Sequence, residues 1–121
     1  MATIYRNTAP TAAEVAVFLN QVDFTLPAGF IEFFKEANGA EISTDDNYII
    51  LWALTEMLQL NKEYKVEEFA PEFFIIGSDG GGAAFAIEKS TGEIYEMPFI
   101  GMSKEEATFR GKTFAEYIES I

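Results

Sequence analysis

The sequence predicts an α+β fold, a mostly antiparallel sheet of about four strands with helices packed on one face. Three observations carry this expectation. Apolar residues recur at i, i+3, i+4 and i+7 near both ends of the chain, short apolar or alternating runs replace that period between Glu72 and Phe99, and the runs are joined by tight connections.

The first helix opens at Thr11, which has capping-box spacing to Glu14, and Val15, Phe18, Leu19 and Val22 follow as one stripe. Pro27, suited to a first helical position, starts a second helix in which Phe30, Phe33, Phe34 and Ala37 repeat the spacing until Asn38-Gly39 stops it. Ser43-Thr44-Asp45-Asp46-Asn47 reads as an Asx-type polar turn into a short strand from Tyr48 to Trp52. A third helix runs from about Leu54 to Tyr64. Its Met57, Leu60, Asn61 and Tyr64 share a face, so the Asn61 amide lies among apolar neighbours and is expected to hydrogen-bond a nearby loop backbone. Glu67 and Glu68 fall in an acidic connection ending at Pro71.

Phe73 to Gly77 then reads as a buried strand. Ala83, Phe85 and Ile87 line one face of the next, and a third, from Glu93 to Phe99, follows the turn Ser90-Thr91-Gly92. Ser103 with Glu106, and Thr113 with Glu116, have capping-box spacing, and the second pair opens a terminal helix with Phe114, Tyr117, Ile118 and Ile121 on one stripe. Each helix carries a single stripe, so one core on one sheet accommodates them all.

The chain has 121 residues, which suits one domain over residues 1–121, with residues 1–9 extended or frayed. Twelve Phe and five Tyr supply a packed core despite the charge. With no His, no Ser-His-Asp or Cys-His machinery is possible; with no Cys either, the usual zinc, iron–sulfur and blue-copper ligand sets are excluded. Carboxylate sites for Mg²⁺ or Ca²⁺ survive that exclusion. No metal, cofactor or catalytic residue is expected. Twenty acids against eight bases give a net charge of −12, which opposes nucleic-acid binding and favours a basic protein partner. The N-terminus has no basic region followed by an apolar stretch, and no window is long and apolar enough for a membrane span, so a cytoplasmic protein is expected.

The run Gly77-Ser78-Asp79-Gly80-Gly81-Gly82 matches neither phosphate-binding pattern, because no Lys follows and the next residues alternate as a strand. It reads as a loop between strands in which glycine supplies positive φ or admits another backbone, the alternative being a flexible recognition loop. Thr44 to Asn47 lacks the glycine and distal glutamate of a calcium loop. Residues 32 to 72 hold ten acids against three bases, a net −7 of the chain's −12, which serves either as a solvated face or as a binding face.

Taken in order, several blocks resemble the SUKH superfamily, the group around the fungal cell-wall assembly regulator Smi/Knr. They are Leu26-Pro27-Ala28-Gly29-Phe30-Ile31-Glu32-Phe33-Phe34 with Asn38-Gly39-Ala40-Glu41, Leu51-Trp52 through Met57 with Asn61 to Tyr64, and Phe74 through Gly82. The resemblance implies an α+β fold and no catalytic residues. It also implies structural roles for Leu26, Pro27, Phe30, Phe33, Asn38, Gly39, Glu41, Trp52, Asn61, Tyr64, Gly77, Gly80, Gly81 and Gly82. Bacterial members are implicated as immunity proteins that neutralise polymorphic toxins, often nucleases, and fungal members as regulatory interaction proteins. The expected function is therefore toxin neutralisation by direct binding, with Asp45, Asp46, Glu67, Glu68 and Asp79 as the partner contacts. The alternatives are a regulatory interaction module unrelated to toxins and, last, a small hydrolase using paired carboxylates, which would require turnover lost on Asp→Asn or Glu→Gln substitution.

Overall fold

Residues 3–120, which the computed structural model describes, form one seven-stranded sheet in which every strand pairs antiparallel with its neighbours in sequence. The elements run β1 (Thr3–Arg6), α1 (Ala12–Gln21), α2 (Phe30–Glu36), β2 (Ala40–Ser43), β3 (Tyr48–Leu51), α3 (Leu54–Glu63), α4 (Val66–Phe69), β4 (Phe73–Ser78), β5 (Ala83–Glu88), β6 (Ile94–Pro98), β7 (Thr108–Gly111) and α5 (Phe114–Glu119), with a 3₁₀ turn at Lys104–Glu106. The α+β class is as expected, but the sheet has seven strands instead of about four. The three additional strands are short, and their residues carry little apolar period. All of β1 is exposed, as is β7 up to Gly111. Strand β2 follows Gly39 directly and buries only Ala40 and Ile42. Such segments become strands because a neighbour supplies their hydrogen bonds, as β2 does for β1 from Thr3↔Ser43 to Arg6↔Ala40.

Alternation on β4 and β5 divides the interior. Phe74, Ile76, Phe85 and Ile87 face the helices, where Phe18 of α1, Phe30 and Phe34 of α2, Met57 of α3 and Phe114 of α5 complete the main core. Phenylalanine dominates it: the Phe30 ring lies 4.7 Å from Phe34 and 5.3 Å from Phe114, centroid to centroid. The opposite face is also covered, contrary to the single core expected. Phe73, Ile75, Ala84, Ala86 and Met97 pack there against Val66, Ala70 and Met102. The acidic connection holding Glu67 and Glu68 is in fact the one-turn helix α4, whose Val66 belongs to this second cluster.

Several local expectations need similar correction. Helix α2 begins at Phe30, not Pro27, because Gly29 at φ 87° is the left-handed residue before it, and Pro27 instead accepts a hydrogen bond from the Phe30 N–H. Ser103 precedes only the 3₁₀ turn and makes no side-chain cap bond, whereas the Thr113 hydroxyl accepts from the Glu116 N–H as its spacing requires. Ile121 lies outside the described residues.

At α1 the capping box is complete. The Glu14 N–H donates to the Thr11 hydroxyl at 3.1 Å, and the Thr11 N–H donates to the Glu14 carboxylate at 2.8 Å. Thr11→Ala removes one half of this reciprocal pair and is expected to cost about 1 kcal/mol of stability, read from the denaturation midpoint. An unchanged midpoint would show that packing of Val15 and Phe18 alone holds the helix end.

Candidate functional site

Among the five predicted partner contacts, Asp45 and Asp46 occupy the β2–β3 turn. Thr44 builds that turn, not an Asx side chain: its hydroxyl accepts from the N–H groups of Asp46 at 3.3 Å and Asn47 at 2.9 Å, leaving both aspartates exposed. Asp79 sits in the β4–β5 loop and is partly committed to it. Its Oδ1 accepts from the N–H groups of Gly81 at 2.8 Å and Ala83 at 3.2 Å. The glycine loop lies against the β2–β3 turn, since a Cβ on Gly80 would come within 3.0 Å of the Tyr48 ring.

That contact brings two of the predicted residues together. Asp46 and Asp79 line a cleft of about 310 Å³ along with Asn47, Tyr48, Phe85, Glu96, Arg110, Tyr117 and Ser120. Arg110 of β7 is ion-paired with Glu96 of β6. Tyr117, on α5, is only 3% exposed, and its hydroxyl has no hydrogen-bond partner among the described residues. Burial outweighs the lowering effect of the Arg110 guanidinium and, with a smaller contribution from the Glu96 carboxylate, keeps this phenol's pKa far above its ordinary value.

Glu67 and Glu68 are not part of this cleft. They line a groove of about 470 Å³ floored by Val22, Leu58, Val66, Phe73 and Phe74, where Lys62, Lys65 and Lys89 stand beside them and Lys89 pairs with Asp23 at 3.3 Å. Three of the chain's eight bases thus offset the carboxylates at that site. The acids of residues 32 to 72 are spread over α2, β2, the β2–β3 turn, α3 and α4, not gathered on one element.

Sequence reasoning missed Glu96, Arg110 and Tyr117. A signal for Glu96 was present: Ile94 faces the main core, so the residue two further along the strand faces the same way. No signal pointed to the Tyr117 hydroxyl, because the ring fits an apolar stripe whether or not its oxygen finds a partner.

The residues of the resembling blocks make contacts that hold elements together. Trp52 at the end of β3, Tyr64 after α3 and Phe99 after β6 form a stack, with Tyr64 and Phe99 centroids 4.7 Å apart. Asn38 caps α3 across the chain, its Oδ1 accepting from the Thr55 N–H at 3.3 Å and its Nδ2 donating to the Thr55 hydroxyl at 3.0 Å. Asn61 reaches β4, a strand and not the loop expected, donating to Ile75 O at 2.9 Å and accepting from Ile75 N–H at 2.8 Å. Leu26 and Phe33 pack at the margin of the main core, Pro27 faces Gly92, and Glu41 is exposed on β2 opposite Ile50. Among the loop glycines, Gly80 has φ 82°, whereas a Cβ on Gly81 would meet only the Asp79 carboxylate and one on Gly82 nothing within 4 Å.

A family model described as SMI1 / KNR4 family (SUKH-1) matches residues 9–120. The chain belongs to this family. The match takes in every block of the resemblance, together with the glycine loop, the β2–β3 turn and the cleft between them. A comparison with curated proteins finds no match. Among the described residues, no helix of this SUKH-1 chain is long and apolar enough to cross a membrane, and no group of three or more acidic residues is placed to hold a metal ion.

Proposed function

We propose that this SUKH-1 chain is a cytoplasmic, non-enzymatic immunity protein that binds a basic toxin domain and occludes its active site or substrate channel. One observation carries the reading: a protein of this family has twenty acids to eight bases, with the carboxylates of Asp45, Asp46 and Asp79 on adjoining loops at one side of the sheet. A nuclease must present positive charge to hold phosphates, so an acidic domain that covers its groove is attracted by the same field. Absence of His and Cys supports binding over catalysis.

The deciding experiment is co-expression with the product of an adjacent toxin-like gene. Rescue of growth and a co-purifying complex are expected. Association with that toxin is expected to slow at least about tenfold between low and high salt, as steered encounters do, in stopped-flow measurements. Neither rescue nor a complex with any neighbouring gene product would sink the immunity reading. Recovery of envelope or signalling components, from a locus without a toxin gene, would replace it with a regulatory interaction module, the role named for fungal members of the resembling group.

A further inference from the structure

The cleft between the β2–β3 turn and the glycine loop contains a group that the fold does not use. Among the described residues the Tyr117 hydroxyl is buried with no partner, whereas the other buried side-chain polar atoms are hydrogen-bonded, as Asn61 illustrates for a partly buried amide. Buried polar groups are nearly always hydrogen-bonded, so an exception beside a cleft points to a bond completed by something else. We propose that the cleft receives one arginine side chain of the protein partner, an inference that rests on the protein-binding reading above.

The donors and acceptors match. A guanidinium brings five N–H donors in a planar fork and needs several acceptors around it. The Asp46 side chain takes no part in the hydrogen bonds that build its turn, Asp79 holds its loop through Oδ1 alone, and Asn47, Ser120 and the Tyr117 hydroxyl add neutral oxygens. Tyr48 and Phe85 supply aromatic walls against which the flat group stacks, an advantage over lysine. A volume of about 310 Å³ is at the small end of ligand sites, suited to one long side chain and not to a peptide segment. Three carboxylates line the cleft against the single guanidinium of Arg110, so a cation is favoured and an anion opposed. Arg110, paired with Glu96 and half exposed, shows that the cleft accommodates a guanidinium, and makes Arg110 the guest's competitor.

The test titrates the full chain, isotope-labelled, with the blocked tripeptide Gly-Arg-Gly and with its citrulline counterpart, which keeps the shape and lacks the charge. Shifts confined to Asp46, Asn47, Asp79, Tyr117 and Ser120, absent with citrulline, are expected. Asp46→Asn should weaken binding about two- to fivefold, the range of an exposed ion pair. Tyr117→Phe should weaken it without lowering the stability of the unbound protein, since no internal bond is lost, and Arg110→Ala should tighten it. Shifts scattered over the acidic surface, equal response to citrulline, or Tyr117→Phe with unchanged binding would overturn the proposal. A toxin complex indifferent to Asp46→Asn and Tyr117→Phe overturns the cleft while leaving the immunity reading intact. Tripeptide binding in the cleft with no toxin complex does the reverse.

Discussion

Asn61→Ala is expected to lower the unfolding free energy by about 3 kcal/mol, because it leaves two backbone groups of a buried strand residue without partners. The reason lies at the seam of the sheet. Strand β3 pairs with β4 only at Ile50↔Ser78 and Leu51↔Gly77, and one further bond joins the Trp52 N–H to Ile76 O before the chain turns away into α3. Ile75, next along β4 and fully buried, therefore has no strand beside it on that edge. The Asn61 amide takes the place of the missing peptide, presenting one donor and one acceptor to Ile75, while its second N–H donates to Met57 O at 2.8 Å within its own helix. Gln59→Ala on the exposed side of α3 serves as the control and should change stability by less than about 0.5 kcal/mol. If the Asn61 variant loses less than about 1 kcal/mol in chemical denaturation, the strand edge has found other partners.

Gly77→Ala should be at least as damaging, at about 3 kcal/mol, since a Cβ there would lie 2.2 Å from Ile50 O, a backbone atom that cannot rotate aside. The β4–β5 register shifts between Ile75 and Gly77, so β4 is irregular where β3 comes closest. Accommodating even a methyl group means prising β3 from β4 where they share so few bonds. Gly82→Ala, five residues on in the loop that follows β4, meets nothing within 4 Å and has no positive φ; it should leave the unfolding free energy within about 0.5 kcal/mol of the parent. Equal effects from the two substitutions would mean that loop flexibility, not contact with Ile50, explains the glycine at position 77.

These two residues also show how far sequence reasoning reaches. An amide inside an apolar stripe marks Asn61 as hydrogen-bonded, but the partner lies 14 residues away on a strand edge that exists only because β3 stops at Leu51. The glycine run is recognisable as marking a loop between strands, yet Gly77 and Ser78 belong to β4 and the glycines differ: Gly77 is required by close approach, Gly80 by its backbone angle, and Gly82 by neither. Pro27 illustrates the limit of local rules, since a proline that suits the start of a helix stands ahead of one here, and Gly29 sets the entry.

The candidate site was less legible than the fold. Asp46 and Asp79 lie 33 positions apart and meet because the sheet order sets the β2–β3 turn beside the β4–β5 loop. Glu67 and Glu68, equally acidic in sequence, fold into a groove where three lysines stand beside them.

By itself the sequence determined the four longer helices, whose 3.6-residue period is a local property, though neither the one-turn α4 nor the start of α2, and the exclusion of histidine and thiol chemistry, which follows from composition alone. It also determined the net charge that a partner meets from a distance. Only the tertiary structure decided that the sheet has seven strands, that a second apolar cluster covers its other face, and which carboxylates share a cleft with the Tyr117 hydroxyl. The physical reason is that strand pairing and charge clustering are relations between residues distant in sequence, fixed by hydrogen bonds and packing that no single segment encodes.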